Sequence, residues 1–333
     1  MRSIMAMDNL IIDAVITWVD GSDRQHYEKR LNILRENKER GDKELPTGRD
    51  ETRFIDNKEL EFCIKSIRKF APWIRTIHIV TDNQRPDFFT VQYQEKFRIQ
   101  VVDHKDIFKS FEWALPTFNS RTIETALWRI PDLADHFIYF NDDFILTADV
   151  KPEHFFPEGK VLLRGTWNSI KNYGPFRLKL NEIGSILSKK FLGITRSMHL
   201  LQQIISARLA GFDKQYYRSP HVPHPVYRPT LSKFFDEHMD EFKKNIRFRF
   251  RNMEQFSAIF LANHLELKNG NAVLQNPDDF LMLNGEMDVS FTLNSKLKKI
   301  EQGEIKFVCL QGFEMYSEGN QTKIKKVLNS LFD

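Results

Sequence analysis

The sequence predicts an α/β protein built on an open, largely parallel sheet flanked by helices. Two observations carry that reading. Strand-like runs alternate with helical patterns across residues 11–150, the order that builds parallel sheets. The runs also end on polar clusters rich in Asp, Asn and Gly. Size and composition bound the answer: 333 residues, 41% hydrophobic and 28% charged, make an ordinary globular chain past the length at which one core stops growing. The expected division is an α/β core over 1–160 and a mainly helical, basic part over 161–333 packed on it.

The elements follow in order. Ile11–Val19 (IIDAVITWV) is a β-rich run that ends at the turn cluster Asp20-Gly21-Ser22-Asp23. Leu60, Cys63, Ile64, Ile67 and Phe70 recur at helical spacing, with Asp56 or Asn57 placed to cap that helix. Ile74–Val80 is a second strand, closed by Thr81-Asp82-Asn83, and Phe97–Val102 a third, followed by Asp103-His104-Lys105-Asp106. Asn119 and Ser120 open a helix that runs through Trp128 and stops before Pro131. FIYFNDDFIL (Phe137–Leu146) is the fourth strand. Glu36–Arg53 is charged, aperiodic and longer than most loops, the mark of a lid or of disorder.

In the second part, Leu200–Leu209, Leu231–Phe242 and Met253–Leu265 read as amphipathic helices. Between them lie HVPHPVYRP (His221–Pro229) and RFRFR (Arg247–Arg251). The tail, Lys323–Phe332, reads as a packed terminal helix with a basic solvated face; contact with lipid is the alternative.

Composition narrows the function classes. A net charge of +4 is too small to indicate nucleic acid, and suits an anionic ligand or loose attraction to an acidic membrane surface. Two cysteines, Cys63 and Cys309, imply neither a disulfide framework nor a zinc site, and fit a reducing compartment. Met1–Leu10 is no signal peptide, and no window approaches 18 apolar residues. The expectation is a cytoplasmic protein, soluble or attached peripherally at the inner face of the membrane. The 29 Phe are assigned to core before any sugar-stacking surface.

In open α/β sheets ligands bind at the carboxyl ends of the strands, where the four polar clusters fall. Each alone is a turn for local reasons; together they mark a candidate site. Within the quoted fourth strand, Asn141-Asp142-Asp143 sets two like charges side by side in an apolar run, which requires a cation or a proton. Adjacent residues of a strict strand point to opposite faces, so the strand must end or bend there. The pair either holds Mg²⁺ or Mn²⁺ against diphosphate oxygens, or forms a tight turn with solvated acids. His221 and His224, beside Pro223, are a general base, a metal ligand, or hydrogen-bonded members of a structural loop. Arg247, Arg249 and Arg251 alternate with Phe248 and Phe250. At strand spacing that presents guanidiniums on one face, suited to phosphate or simply to solvent at an edge.

Taken together these stretches resemble the Stealth family of hexose-1-phosphate transferases. IDAVITWVDGSD (Ile12–Asp23) looks like its first conserved region. RFIDNKELEFCIKSIRKFAPWIRTIHIVTDNQRP (Arg53–Pro86), VVDHKDIF and LPTFNSRTIETALWRIPDLADHFIYFNDDFIL look like the second. HVPHPVYRPTLSKFFDEHMDEFKKNIRFRFRNMEQF matches the third, with Tyr227-Arg228 where an acidic-basic pair is common. The fourth usually reads Cys-Leu-Asn-Asp; here FVCLQGFE keeps Cys309 and Leu310 but has Gln311 and Gly312.

The resemblance implies a Rossmann-like, glycosyltransferase-A-like sheet. The implied activity moves a sugar-1-phosphate from a UDP-sugar to a glycan or lipid-linked oligosaccharide hydroxyl, releasing UMP. Asp142 and Asp143 would hold the metal, with Asn141 orienting them. His221, with His224 second, would deprotonate the acceptor, and Arg249 and Arg251 would brace the phosphate. Thr17, Trp18, Asp20, Gly21 and Asp23 would shape the uridine and diphosphate cradle. Arg53, Asp56, Asn57 and Glu59 would line the donor side, and Asn119 and Ser120 add contacts at a helix start. Cys63, Trp73 and Trp128 are assigned to packing. Two rivals stand beside this reading: a conventional metal-dependent glycosyltransferase releasing UDP, and a non-catalytic sugar-binding assembly subunit.

Overall fold

A computed structural model of the chain describes residues 10–40, 59–170 and 191–332. The first part runs β1 (Ile12–Thr17), α1 (Arg24–Arg40), α2 (Glu59–Phe70), β2 (Ile77–Thr81), α3 (Val91–Phe97), β3 (Ile99–Asp103), α4 (His104–Ile107), α5 (Ser120–Ala126), β4 (His136–Asn141) and β5 (Phe144–Leu146). Then come β6 (Val161–Arg164), β7 (Thr166–Ser169), α6 (Phe191–Leu209), β8 (Gln215–Arg218), β9 (His224–Tyr227), α7 (Arg228–Glu237), α8 (Met239–Ile246) and α9 (Ala258–Lys268). The chain closes with β10 (Ala272–Gln275), β11 (Phe280–Asn284), α10 (Ser290–Glu301), β12 (Phe307–Gln311) and α11 (Glu318–Phe332).

The main sheet has the order β3-β2-β1-β4-β9. Its first four members are parallel and β9 lies antiparallel on the edge beside β4. Pro225 sits in β9, where an edge tolerates a residue that cannot donate. β1 and β4 are buried along nearly their whole length because helices cover both faces. On one face Ile12, Ala14 and Ile16 pack with Leu60, Cys63, Ile64 and Ile67 of α2. On the other, Val15, Phe137 and Tyr139 pack with Ala126 of α5, Phe235 of α7, Phe242 of α8 and Leu261 of α9.

The fourth predicted strand is really two. β4 ends at Asn141, Asp142 and Asp143 make a turn, and β5 leaves for a second sheet of order β11-β12-β5. There α10 and α11 bury Leu293, Leu297, Ile324 and Leu328 against Ile145, Val308 and Leu310. The tail is therefore a packed terminal helix, and its Lys323, Lys325 and Lys326 are exposed. No helix among the described residues is long and apolar enough to cross a membrane.

The part after residue 160 is rich in helix, as expected, and among its described residues it also carries seven short strands, β6 to β12, of which β9 completes the first sheet and β12 pairs with β5. Three expectations are corrected. Glu36–Arg40 belongs to α1, since Glu, Lys and Arg favour continuing a helix; most of the remaining charged segment lies outside the described residues. Leu231–Phe242 is split at His238, whose backbone is non-helical. The break lets Phe235 of α7 and Phe242 and Ile246 of α8 reach one cluster. Finally, RFRFR is not a strand. The carbonyl of Phe248 accepts from Asn119 Nδ2 and Thr122 Oγ1, and that of Arg249 from Phe118 N–H, so the start of α5 and the residues before it, rather than a neighbouring strand, satisfy its backbone.

Candidate active site

The site grows from the carboxyl ends of β1 and β4, where the register pairs Thr17 with Asn141. Tyr139 opens the polar set. Its hydroxyl donates to Asn141 Oδ1 at 2.7 Å, and stands 3.2 Å from Thr17 Oγ1 and 3.4 Å from Glu124 Oε1. The other oxygen of Glu124 accepts from the Ser257 hydroxyl at 3.0 Å. Burial pushes the Glu124 carboxyl up to about 7, against the lowering bonds from Ser257 and Tyr139. It thus titrates near neutrality, as a proton-transfer or charge-sensing group should.

The acidic turn is held on two sides. From α2, the Cys63 thiol donates to the Asn141 carbonyl at 3.8 Å. From β12, the Leu310 N–H donates to the Asp143 carbonyl at 2.9 Å and the Cys309 thiol to Asp143 Oδ2 at 3.4 Å. Asp143 Oδ1 is buried with no hydrogen-bond partner among the described residues. Burial pushes this carboxyl up to about 6, opposed by the Cys309 bond. An acid that turns one oxygen into the interior without a donor fits a cation ligand. Among the described residues no group of three or more His, Cys, Asp or Glu has the arrangement of a complete metal site. Asp142 and Asp143 are the residues that could hold a cation here, and the remaining oxygens would have to come from a ligand or water.

β9 brings the histidines alongside. His224 pairs with Tyr139, is nearly buried, and meets Phe260 edge-on at 5.3 Å. The chain reaches it from His221, three residues earlier, which stacks on His199 at 4.1 Å. Burial pushes His221 down to about 4 and His224 to about 3, so both are neutral near pH 7. Of the pair His221 is the less enclosed, and so the better placed to meet a substrate.

The arginines meet the start of α5 and the loop before it. Arg251 Nη2 donates to Ser120 Oγ at 2.7 Å, and Ser120 lies one turn from Glu124 on the same face of α5. Arg249 donates to the carbonyls of Pro116 and Trp113 at 2.9 and 3.1 Å, bracing the loop before that helix. Asn119 is fully buried: it caps α5 by accepting from Arg121 N–H and donates to Gln255.

At the end of β1, Asp20 accepts from the backbone and hydroxyl of Ser22, while Asp23 accepts from His26 N–H at the start of α1. Gln84 ties this loop to the end of β2 by two bonds with the Asp20 backbone. Gly21 lies in the turn, and the Trp18 indole N–H is buried without an acceptor among the described residues. Glu59 stands one turn before Cys63 on the face of α2 that meets the acidic turn. Arg53, Asp56 and Asn57 lie outside the described residues.

With this arrangement in view, family models described as Stealth conserved region 1 and Stealth conserved region 2 match residues 12–37 and 53–163. A capsular polysaccharide phosphotransferase of Haemophilus influenzae is 34% identical over 279 residues, covering 79% of this chain and 67% of the relative. The chain belongs to the Stealth family.

Two further relatives frame this member. A capsular polysaccharide phosphotransferase of Actinobacillus suis is 43% identical over 63% of this chain and 60% of its own length. An exopolysaccharide phosphotransferase of Lactiplantibacillus plantarum is 28% identical over 94% and 91%. Among solved structures, the galactosyltransferase LgtC superposes with a TM-score of 0.42 at 10% identity, covering 96% of this chain and 95% of that one.

Three residues of this Stealth member join the candidate site without having been foreseen there. Glu124 looks like any polar position of a helix until Ser257 and Tyr139 close on it, and Tyr139 looks like strand core. Cys309 carried the one available signal, the retained Cys-Leu of the fourth region, but its bond to Asp143 appears only when β12 pairs with β5.

Proposed function

We propose that this Stealth member transfers a sugar-1-phosphate from a UDP-sugar to a hydroxyl of a glycan acceptor, in the synthesis of a capsular or other surface polysaccharide. The curated relatives are capsular and exopolysaccharide phosphotransferases, which supports a transferase of sugar phosphate. The observation that carries the reading at this site is the Asp143 oxygen, buried and without a donor beside Asp142. When bound there, Mg²⁺ or Mn²⁺ would neutralise oxygens of the diphosphate.

The protein's own groups do the rest. The acceptor hydroxyl attacks the phosphorus nearest the sugar, its proton passes to the Nδ1 or Nε2 lone pair of neutral His221, and the bond from that phosphorus to UMP breaks. The sugar stays on the transferred phosphate. His221 is a weak base in the free protein, but a dianionic donor beside it raises its proton affinity by simple attraction. Glu124 is the second acceptor for that proton, and through Tyr139 it orients Asn141. Arg251 and Arg249 hold the α5 entrance against the diphosphate charge. Asp20–Asp23 with Gly21 and Trp18 shape the nucleotide end.

The test is product identity. Incubation with a panel of UDP-hexoses and UDP-N-acetylhexosamines plus Mg²⁺ should release UMP and give a phosphodiester signal by ³¹P spectroscopy. Release of UDP would instead establish a conventional glycosyltransferase. An Asp142→Asn variant should lose at least about a hundredfold in turnover, the scale of removing a charge-stabilising group; full turnover would favour a non-catalytic subunit.

A further inference from the structure

The carboxyl end of β12 comes level with the acidic turn. In the antiparallel pairing of β12 with β5, Phe307, Val308 and Cys309 face Leu146, Ile145 and Phe144. The Leu310 N–H bond to the Asp143 carbonyl carries that ladder one step further. The next residue on this edge, level with the acidic turn, is Gln311. Side chains alternate along a strand, so Gln311 shares the face of Cys309, whose thiol meets Asp143, and not that of Leu310, which is buried under α10 and α11.

The amide of Gln311 has its orientation decided by its neighbour. Asn284, nearly buried, uses its Oδ1 to accept from the N–H groups of Glu286 and Met287. Its NH₂ group must then be the side turned to Gln311, and it donates to Gln311 Oε1 at 3.0 Å. That leaves the Gln311 NH₂ pointing away, with no acceptor among the described residues and the residue only half-buried. Asn284 is itself locked, its N–H donating to Asp288 Oδ2, which also accepts from the Tyr316 hydroxyl. The result is a neutral, preoriented donor on a rigid strand end, beside two carboxylates that have no such donor to give.

We infer that Gln311 is a donor-binding residue: its amide N–H hydrogen-bonds an oxygen of the sugar-diphosphate held at Asp142 and Asp143. This rests on the proposed use of a nucleotide sugar. The chemistry recognised is an oxygen acceptor, either a phosphoryl oxygen or a sugar hydroxyl, and binding of UDP against UDP-sugar separates the two.

The experiment is calorimetric titration of the full chain, wild type and variants, first with Mn²⁺ alone and then with UDP or a UDP-sugar in saturating Mn²⁺. Gln311→Leu, which keeps size but removes the donor, should weaken UDP-sugar binding about tenfold, as expected for an unpaired polar oxygen, and leave Mn²⁺ binding within twofold. Loss shared by UDP assigns the bond to phosphate; loss confined to UDP-sugar assigns it to the sugar. Gln311→Glu places a third carboxylate beside the pair and should tighten Mn²⁺ at least threefold. Thermal melting of each variant monitors folding, and Gln311→Asn serves as the milder replacement if Leu does not fold. Unchanged UDP-sugar affinity in Gln311→Leu, or unchanged Mn²⁺ affinity in Gln311→Glu, overturns the assignment. Because these are binding measurements, they stand even if the product proves to be UDP rather than UMP.

Discussion

Asp13 and Asp143 lie near opposite ends of adjacent parallel strands, and their surroundings treat the negative charge in opposite ways. Asp13, at the start of β1, is fully buried and accepts from Arg75 Nε at 2.9 Å, from His78 Nε2 at 3.2 Å and from the N–H groups of Thr76 and Ala134. Burial pushes its carboxyl up, but the bonds from His78, Arg75 and Ala134 outweigh it and hold the group at about 2. Among the described residues Asp143 has one thiol donor on Oδ2 and none on Oδ1, and burial, outweighing that thiol and a backbone N–H, carries it to about 6. The contrast separates two uses of a buried acid. Where neighbours complete the carboxylate it ties the fold together; where they leave it incomplete it is ready for a ligand.

The contrast breaks if the two substitutions behave alike. Asp13→Asn should cost about 3–5 kcal/mol of stability, the scale of stripping one partner from a buried ion pair, and leave turnover per folded molecule unchanged; urea unfolding and active-site titration read both. Asp143→Asn should do the reverse: turnover falls at least about a hundredfold, while the melting temperature holds or rises because an uncompensated charge has gone. A destabilised Asp143→Asn would show that its charge already has a partner in the apo protein.

Acid sharpens the same comparison. The Asp13 carboxyl is depressed in the folded state, so its contribution is present above the unfolded value near pH 4 and is lost as pH falls toward about 2. That contribution is about 2–3 kcal/mol. Asp143 and Glu124 are raised, so the sign inverts: their effect on stability is most favourable below about pH 4 and is lost as pH rises through about 6 and 7. Melting curves without divalent ions should therefore show stability rising from pH 2 to 4 and sagging between 5 and 7. Mn²⁺ should remove the sag, and Asp13→Asn the rise.

The smallest effect concerns Glu124. If its ionised form is the active one, kcat should fall about tenfold per pH unit below about 7, and Glu124→Gln should flatten that limb. Tyr139→Phe, which removes the bond to Asn141, should lower kcat by about tenfold or less and shift the limb only slightly. A limb unmoved by Glu124→Gln would assign it to another group.

How much was legible depended on whether a residue's partners are local. β1, β2 and β3 could be read because apolar, β-branched runs end in turn residues whose own side chains make the turn: Asp20 bonds Ser22, and Asp103 caps α4 by accepting from Lys105 N–H. The helix start at Asn119 was readable for the same reason. RFRFR was not, because its backbone partners, Phe118, Asn119 and Thr122, lie far back in the chain. The end of the fourth strand at its two acids was legible, but where the chain goes next was not, since β5 departs only because β12 is there to receive it.

Sequence alone determined that this chain builds a parallel α/β sheet whose strands end in polar clusters. Periodicity and turn chemistry are local, and a family's motifs survive in linear order. Tertiary structure decided which of those groups are already bonded and which are not. It made Asn119 and Asp23 caps, left an Asp143 oxygen without a donor among the described residues, closed Tyr139 on Glu124 and Asn141, and set Cys309 against Asp143 and Gln311 against Asn284. Whether a polar group is satisfied depends on every neighbour it has in space, and those neighbours are chosen by strand register and packing.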